Sequence, residues 1–202
     1  MSVILLIDDD DDIREIFTLF LNLEGHIIHS APGGREGIEM LRTVHPDIIL
    51  LDIMMPGMDG WETLCAIKQD PGTRALAVSM CSGKLPDLKE INQYGKYIED
   101  YLVKPQELSE LSNILTSIME RFIKYTTEIE SLKNKISDHH LIDEFYNFQK
   151  TLYMLEKFSR YFTSDSEEIE LDIHRYKTRI QEIHDSQGYP FFPGLLELKP
   201  GI

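Results

Sequence analysis

Short apolar runs alternate with longer stretches at helical spacing through the first half of the chain. The runs are Val3 to Ile7, His26 to Ser30, Ile48 to Leu51, Leu76 to Met80 and Tyr101 to Val103. Between them Ile13, Ile16, Phe17, Phe20 and Leu21 form one helical stripe, Ile38 and Leu41 a shorter one, and Leu64 and Ile67 a third. Strand-length runs separated by helical stripes predict repeated βα units on a five-stranded parallel sheet. Gly33-Gly34, Pro46, Pro56-Gly57 and Pro71-Gly72 punctuate the joins, where turns need Gly or Pro geometry. The stretch after Ser82 is sparser. It contains Pro86, and Leu85, Leu88, Ile91 and Tyr94 predict only a short fourth helix.

Beyond Pro105 the period becomes long and helical. Leu111, Leu115, Ile118, Phe122, Tyr125, Ile129, Leu132 and Ile136 keep a 4-3 alternation, a single apolar seam of heptad type. A second seam, through Leu141, Phe145, Phe148, Leu152, Leu155 and Phe162, is displaced by two positions, which predicts a break near Ser137 to His140. A third, Ile169, Ile173, Tyr176, Ile180 and Ile183, follows Ser164, which forms a capping-box pattern with Glu167. The expected organisation is an α/β domain over 1–122 and a helical module over 123–202. Its helices lie at about 106–137, 141–162 and 165–185 and end in a Pro/Gly-rich tail. The seams suit either an antiparallel bundle within one chain or a coiled coil that makes a homo-oligomer.

Charge narrows the function. The 202 residues hold 35 acidic against 20 basic side chains, a net charge of −15. Such a surface repels phosphate backbones, and residues 123–202 offer no basic recognition helix, so DNA binding is not expected. Cys65 and Cys81 make no CxxC pair, which favours free thiols in a reducing compartment. The run Val3 to Ile7 meets five aspartates, too short and too acidic for a signal peptide, and no run reaches membrane-spanning length. A cytoplasmic location without a membrane partner is the expectation.

In an open parallel sheet, ligands bind outside the carboxyl ends of the strands. Here the first strand ends in Asp8-Asp9, the third in Asp52, the fourth in Ser82, and the fifth in Lys104. Converging carboxylates repel unless a cation compensates, and oxygen-only ligands at an open site favour Mg²⁺ over Zn²⁺. A metal beside an Asp, a hydroxyl and a Lys is what phosphoryl transfer to a carboxylate requires.

These residues also carry a family resemblance. ILLIDDDDDIRE, DIILLDIMMPGMDGWE, VSMCSGK and EDYLVKP, in this order, resemble the receiver domain of a two-component response regulator over about residues 2–122. The resemblance implies a flavodoxin-like (βα)5 doubly wound sheet of order 2-1-3-4-5, followed here by an all-α module. It implies Asp52 as phospho-acceptor, with Mg²⁺ held by Asp8, Asp9, Asp52 and the Met54 backbone carbonyl. Lys104 would bind the phosphoryl group, and Ser82 and Tyr101 would form the hydroxyl–aromatic switch. The Lys104-Pro105 bond would be cis. The donor would be a histidine kinase or a phosphotransfer histidine protein, and the only reaction its own phosphorylation and dephosphorylation. Gln106 replaces the frequent Phe after Lys-Pro, the segment from Ser82 to Tyr101 lacks the usual pattern of the fourth helix, and Met54 with Lys84 implies an altered phosphoryl lifetime.

Other readings compete. A dehalogenase-type phosphatase also uses a strand-ending Asp and Mg²⁺, but wants a second Asp two residues on, where this chain has Met54. Exposed histidines on a bundle can carry phosphoryl groups, yet His139, His140, His174 and His184 sit in no phospho-histidine box. Asp11 and Asp12 suit a solvated helix N-terminus. Asp59 and Gly60 shape a turn, and Cys81 reads as a buried thiol.

Overall fold

The computed structural model describes residues 1–104, 108–162 and 166–187. Five strands, β1 (Val3–Ile7), β2 (Ile27–Ala31), β3 (Ile48–Leu51), β4 (Ala77–Ser82) and β5 (Asp100–Val103), form one sheet of order β2-β1-β3-β4-β5. Every pairing is parallel, and the registers Ile7↔Leu51 and Ser82↔Val103 align the strand ends along one rim. β3 and β4 are buried at every position, and β1 at all but Val3. Near-continuous apolar strands of this kind are what a parallel sheet covered on both faces needs. β2 lies at the edge and carries the polar His29 and Ser30.

The helices are α1 (Asp11–Leu23), α2 (Gly34–Met40), α3 (Gly60–Gln69), α4 (Leu88–Tyr94), α5 (Leu108–Lys133), α6 (His139–Phe158) and α7 (Ser166–Gln187). Local chemistry sets their starts. Asp10 caps α1 by accepting from the amides of Asp12 and Ile13, while Asp59 with Glu62 and Asp87 with Glu90 form capping boxes on α3 and α4. Phe17 and Leu21 of α1 enter the core with Ile4, Leu6, Leu50, Leu111, Leu115 and Ile118. Ile16, counted in the α1 stripe by its spacing, is instead 46% exposed, one helical step off the buried face.

The chain forms two compact units. One comprises Met1–Leu85 and Tyr97–Lys124, the other Pro86–Lys96 and Tyr125–Ile202. The first therefore holds the sheet, α1 to α3 and the first part of α5. The second holds α4 together with the end of α5, α6 and α7.

In the second unit, Tyr125, Leu132 and Ile136 pack with Phe145, Tyr146, Ile180 and Ile183, so the later part of the first seam is buried within one chain. The first helix stops at Lys133, short of 137, and Asp138 caps the next by accepting from the Leu141 amide. α6 buries more than its seam: Ile142, Tyr146, Gln149, Thr151 and Met154 join Phe145, Leu152 and Leu155. The reason is its central place, touching α4 as well as α7. α6 ends at Phe158 and a 3₁₀ turn follows over Ser159–Tyr161, which leaves Phe162 beyond the helix that its spacing predicted. Arg179 pairs with Glu144, Lys177 with Glu156, and the Phe148 and Tyr176 rings lie 5.3 Å apart, fastening α6 to α7. The Ser164 cap, Pro105 with its peptide bond, Gln106 and the tail 188–202 lie outside the described residues.

Candidate functional site

The backbone carries the sheet's ladder past the strand ends and thereby positions the rim. The Asp52 amide donates to the Ile7 carbonyl at 2.8 Å, the Asp8 amide to Ala31 at 3.1 Å, and the Lys104 amide to Ser82 at 2.9 Å. Each residue that begins a loop is thus still held by its neighbouring strand. Arg14, one turn into α1, donates to the Asp8 carbonyl at 2.7 Å, and the Asp8 carboxylate accepts from the Asp10 amide at 3.1 Å. The five aspartates therefore divide by role: Asp8 and Asp9 face the rim cluster, Asp10 caps the helix, and Asp11 and Asp12 occupy its first turn.

Asp8, Asp9 and Asp52 bring one carboxylate oxygen each to within 4.8 Å of one another. Asp8 is 1% exposed and Asp52 5%, while Asp9 opens to solvent. The Lys104 ammonium lies 2.5 Å from Asp8 and 3.5 Å from Asp52. One ammonium offsets three carboxylates only in part. Burial raises the Asp8 carboxyl above its ordinary range, Asp52 adds to the rise, and the hydrogen bonds from Lys104 and Asp10 oppose it. Burial draws Lys104 down, but its bond to Asp8 and the charges of Asp8 and Asp52 lift it above its usual value.

Two buried oxygens at the rim, Asp52 Oδ1 and Ser82 Oγ, have no hydrogen-bond partner. Buried polar atoms are nearly always partnered, so both oxygens have hydrogen-bonding or coordinating capacity that a bound group could use. An excess of carboxylate charge, oxygen donors only and one ligand open to water fit Mg²⁺, which keeps several waters. Residues Asp8, Asp9 and Asp52 would hold it.

Tyr101 is buried and its hydroxyl donates to the Lys84 carbonyl, tying β5 to the loop after β4. Met54 is 58% exposed, with its methyl 3.9 Å from the place a Cβ on Gly83 would take. Arg14 is not singled out by its sequence, and Gly60, read there as a turn former, has a further role. Arg14 fixes the Asp8 backbone, a role its helical spacing does not advertise. Gly60 lies against the Asp52 carbonyl, and a Cβ there would stand 2.7 Å from Ile53 Cα.

Cys81, beside Ser82, is fully buried, and burial pushes its thiol up to about 12, with Lys104 opposing and Asp8 and Asp52 reinforcing the shift. Cys65 is half-buried and its thiol is raised as well, by burial and then by Asp59. Since the thiolate is the reactive form, Ellman's reagent at pH 8 should titrate Cys65 slowly and Cys81 only after denaturation. Two rapid equivalents from native protein would contradict this burial.

A family model described as the response regulator receiver domain matches residues 4–116. The chain is 31% identical over 138 residues to the transcriptional regulatory protein AfsQ1 of Streptomyces coelicolor, covering 68% of this chain and 60% of that protein. It is 28% identical over 119 residues to protein PilH of Pseudomonas aeruginosa, covering 59% and 98%. Among solved structures it is similar to the N-terminal domain of a response regulator receiver protein from Methanoculleus marisnigri, at 43% identity and TM-score 0.51, covering 57% and 94%. The response regulator protein TrrA of Thermotoga maritima, solved in complex with Mg²⁺ and a beryllofluoride group, matches at 25% identity and TM-score 0.52, covering 58% and 99%.

Proposed function

Because the chain belongs to the response regulator receiver family, we propose that Asp52 is its phospho-acceptor and that phosphorylation there switches the C-terminal helical module. Response regulators receive their phosphoryl group from a histidine kinase or a phosphotransfer histidine protein, and receivers bind Mg²⁺ through acidic residues. On that footing a carboxylate oxygen of Asp52 attacks the phosphorus of a phosphohistidine in line. The P–N bond breaks, the imidazole leaves, and an acyl phosphate forms. Lys104 binds the phosphoryl oxygens, and Ser82 donates its hydroxyl to one of them. Asp8, Asp9, Asp52 and the Met54 carbonyl hold Mg²⁺, which supplies charge neutralisation of those oxygens when bound.

The observation that supports this most is the buried Asp52 oxygen that accepts no hydrogen bond, inside a carboxylate trio and 3.5 Å from an ammonium. Tyr101, through its bond to the Lys84 carbonyl, serves as the aromatic half of the switch with Ser82. The output is an interaction between proteins, either docking or homo-oligomerisation through the C-terminal helices. DNA has no part in this reading, since the module's 14 acidic and 10 basic residues give no basic face. We place the protein in the cytoplasm. No helix among the described residues is long and apolar enough to cross a membrane.

Acetyl phosphate with Mg²⁺ tests the chemistry directly. The intact protein should gain one phosphoryl group that hydroxylamine removes, and Asp52→Asn or a chelator should abolish the gain. Labelling that survives Asp52→Asn would place the acceptor elsewhere.

A further inference from the structure

The fourth helix carries the most unexpected partnership of the chain. α4 has only seven residues, and its buried Leu88 and Ile91 belong to the compact unit of α6 and α7. The Asn92 side chain uses both ends of its amide there. Its Nδ2 donates to Asp172 Oδ2 at 2.7 Å, and its Oδ1 accepts from the Tyr176 hydroxyl at 3.3 Å. Tyr176 in turn lies with its ring 5.3 Å from that of Phe148 on α6. Asp172 is 7% exposed and its other carboxylate oxygen pairs with Arg175 at 3.0 Å, so a missing Asn92 would remove the donor to Oδ2 of a nearly buried carboxylate. Just past α4, a Cβ on Gly95 would stand 3.3 Å from Thr151 Cα, so glycine lets that backbone approach α6 closely. Shape and hydrogen bonding both specify this packing.

The other end of α4 leads straight to the phosphoryl site. Gly83, Lys84 and Leu85 link Ser82, whose hydroxyl is unpartnered, to Pro86, the first residue of the second unit. The Tyr101 hydroxyl holds the middle of that link at the Lys84 carbonyl. Any shift of Ser82 or Tyr101 therefore acts on a three-residue connection with one anchored carbonyl, and the helix at its far end is already embedded against α6 and α7.

We propose that α4 is an intramolecular output element: chemistry at Asp52 is transmitted to the chain's own C-terminal helices through Asn92 and Gly95. This rests on the receiver reading given above. It differs from a module that merely trails the receiver on a linker, because coupling free energy is reciprocal. Loosening the Asn92 contacts must then alter how the Asp52 site responds, and occupying that site must alter α6 and α7.

Amide hydrogen exchange on the full chain, with and without Mg²⁺ and beryllofluoride, tests both directions. Peptides over 50–60 report occupation of the Asp52 site, and those over 147–158 and 169–180 report the helices. We expect the helix peptides of the wild-type protein to change exchange rate by at least about fivefold, the lower end of typical allosteric coupling. In Asn92→Ala and Gly95→Leu the helix response should shrink, the 50–60 response should persist, and beryllofluoride affinity should move by a similar factor. A responsive 50–60 segment with silent helix peptides in the wild-type protein would overturn the proposal and leave the receiver reading intact. A silent 50–60 segment would bring down both.

Discussion

Asp8→Asn should melt several degrees above the wild-type protein in metal-free buffer at pH 7, and should no longer respond to Mg²⁺. The Asp8 carboxyl is 1% exposed and its proton affinity is raised, first by burial. A group whose folded pKa lies above its unfolded value binds its proton more tightly in the folded state. Its contribution to stability therefore declines as pH rises from the ordinary carboxylate value through the raised one, and neutral pH is on the unfavourable side. Asparagine keeps the shape and removes the charge, while Lys104 retains Asp52 at 3.5 Å. The gain of the variant over wild type should narrow as the pH falls toward 4. For the wild-type protein, Mg²⁺ at a hundred times its dissociation constant should contribute about 2.7 kcal/mol, and that increment is what the variant forfeits. Thermal melts across pH, with and without Mg²⁺, decide the matter. A variant that melts lower, or still gains from Mg²⁺, would show that Asp8 serves packing and not the cation.

Gly60→Ala should cost about 3 kcal/mol of stability, the upper end of overpacking penalties, and should impair phosphorylation by about a hundredfold if Asp52 is displaced by about 1 Å. The added methyl would meet the Asp52 carbonyl and stand 2.7 Å from Ile53 Cα, so the backbone that carries Asp52 must move. Gly25→Ala is the contrast. Gly25 has φ +85° with nothing within 4 Å of a Cβ, so alanine there costs about 1–2 kcal/mol of backbone strain and leaves the site alone. Urea unfolding and the rate of acetyl phosphate labelling separate the two. Equal labelling rates in both variants would mean that the Gly60 contact does not position Asp52.

The sheet and its rim were legible because local pattern and local chemistry agree there. Runs such as Ile48 to Leu51, set between turn signals, read as covered strands, and parallel strands that end in Asp, Asp, Ser or Lys deliver those groups to one edge. Most strand limits fall within a residue of the apolar runs, and β4 continues two residues beyond Met80 because Cys81 and Ser82 are themselves buried. The partnership of α4 was not legible. Leu88 and Ile91 announce a helix with one apolar face, but nothing in a seven-residue pattern says that Asn92 meets Asp172 and Tyr176, or that Gly95 meets Thr151, far along the chain. α6 misled for a related reason. A heptad seam counts one buried face, and Tyr146 is in the core because that helix is covered from several sides. Gly60 was readable as a turn former from composition, whereas its contact with the Asp52 backbone is a fact of three dimensions.

The interleaving of the two units also has a consequence during synthesis. Asn92 leaves the ribosome 80 residues before Asp172, its hydrogen-bond partner. At translation rates of about 5–20 residues per second, roughly 4–16 s pass in which α4 has no completed α6–α7 pair to pack with. For most of that interval the sheet can already close, since its last strand, Asp100–Val103, follows α4 by only a few residues. The nascent protein can thus carry the assembled Asp8–Asp52–Lys104 rim and an unpacked α4 at once, a sequence of events in which chaperone contact with residues 86–96 would matter most.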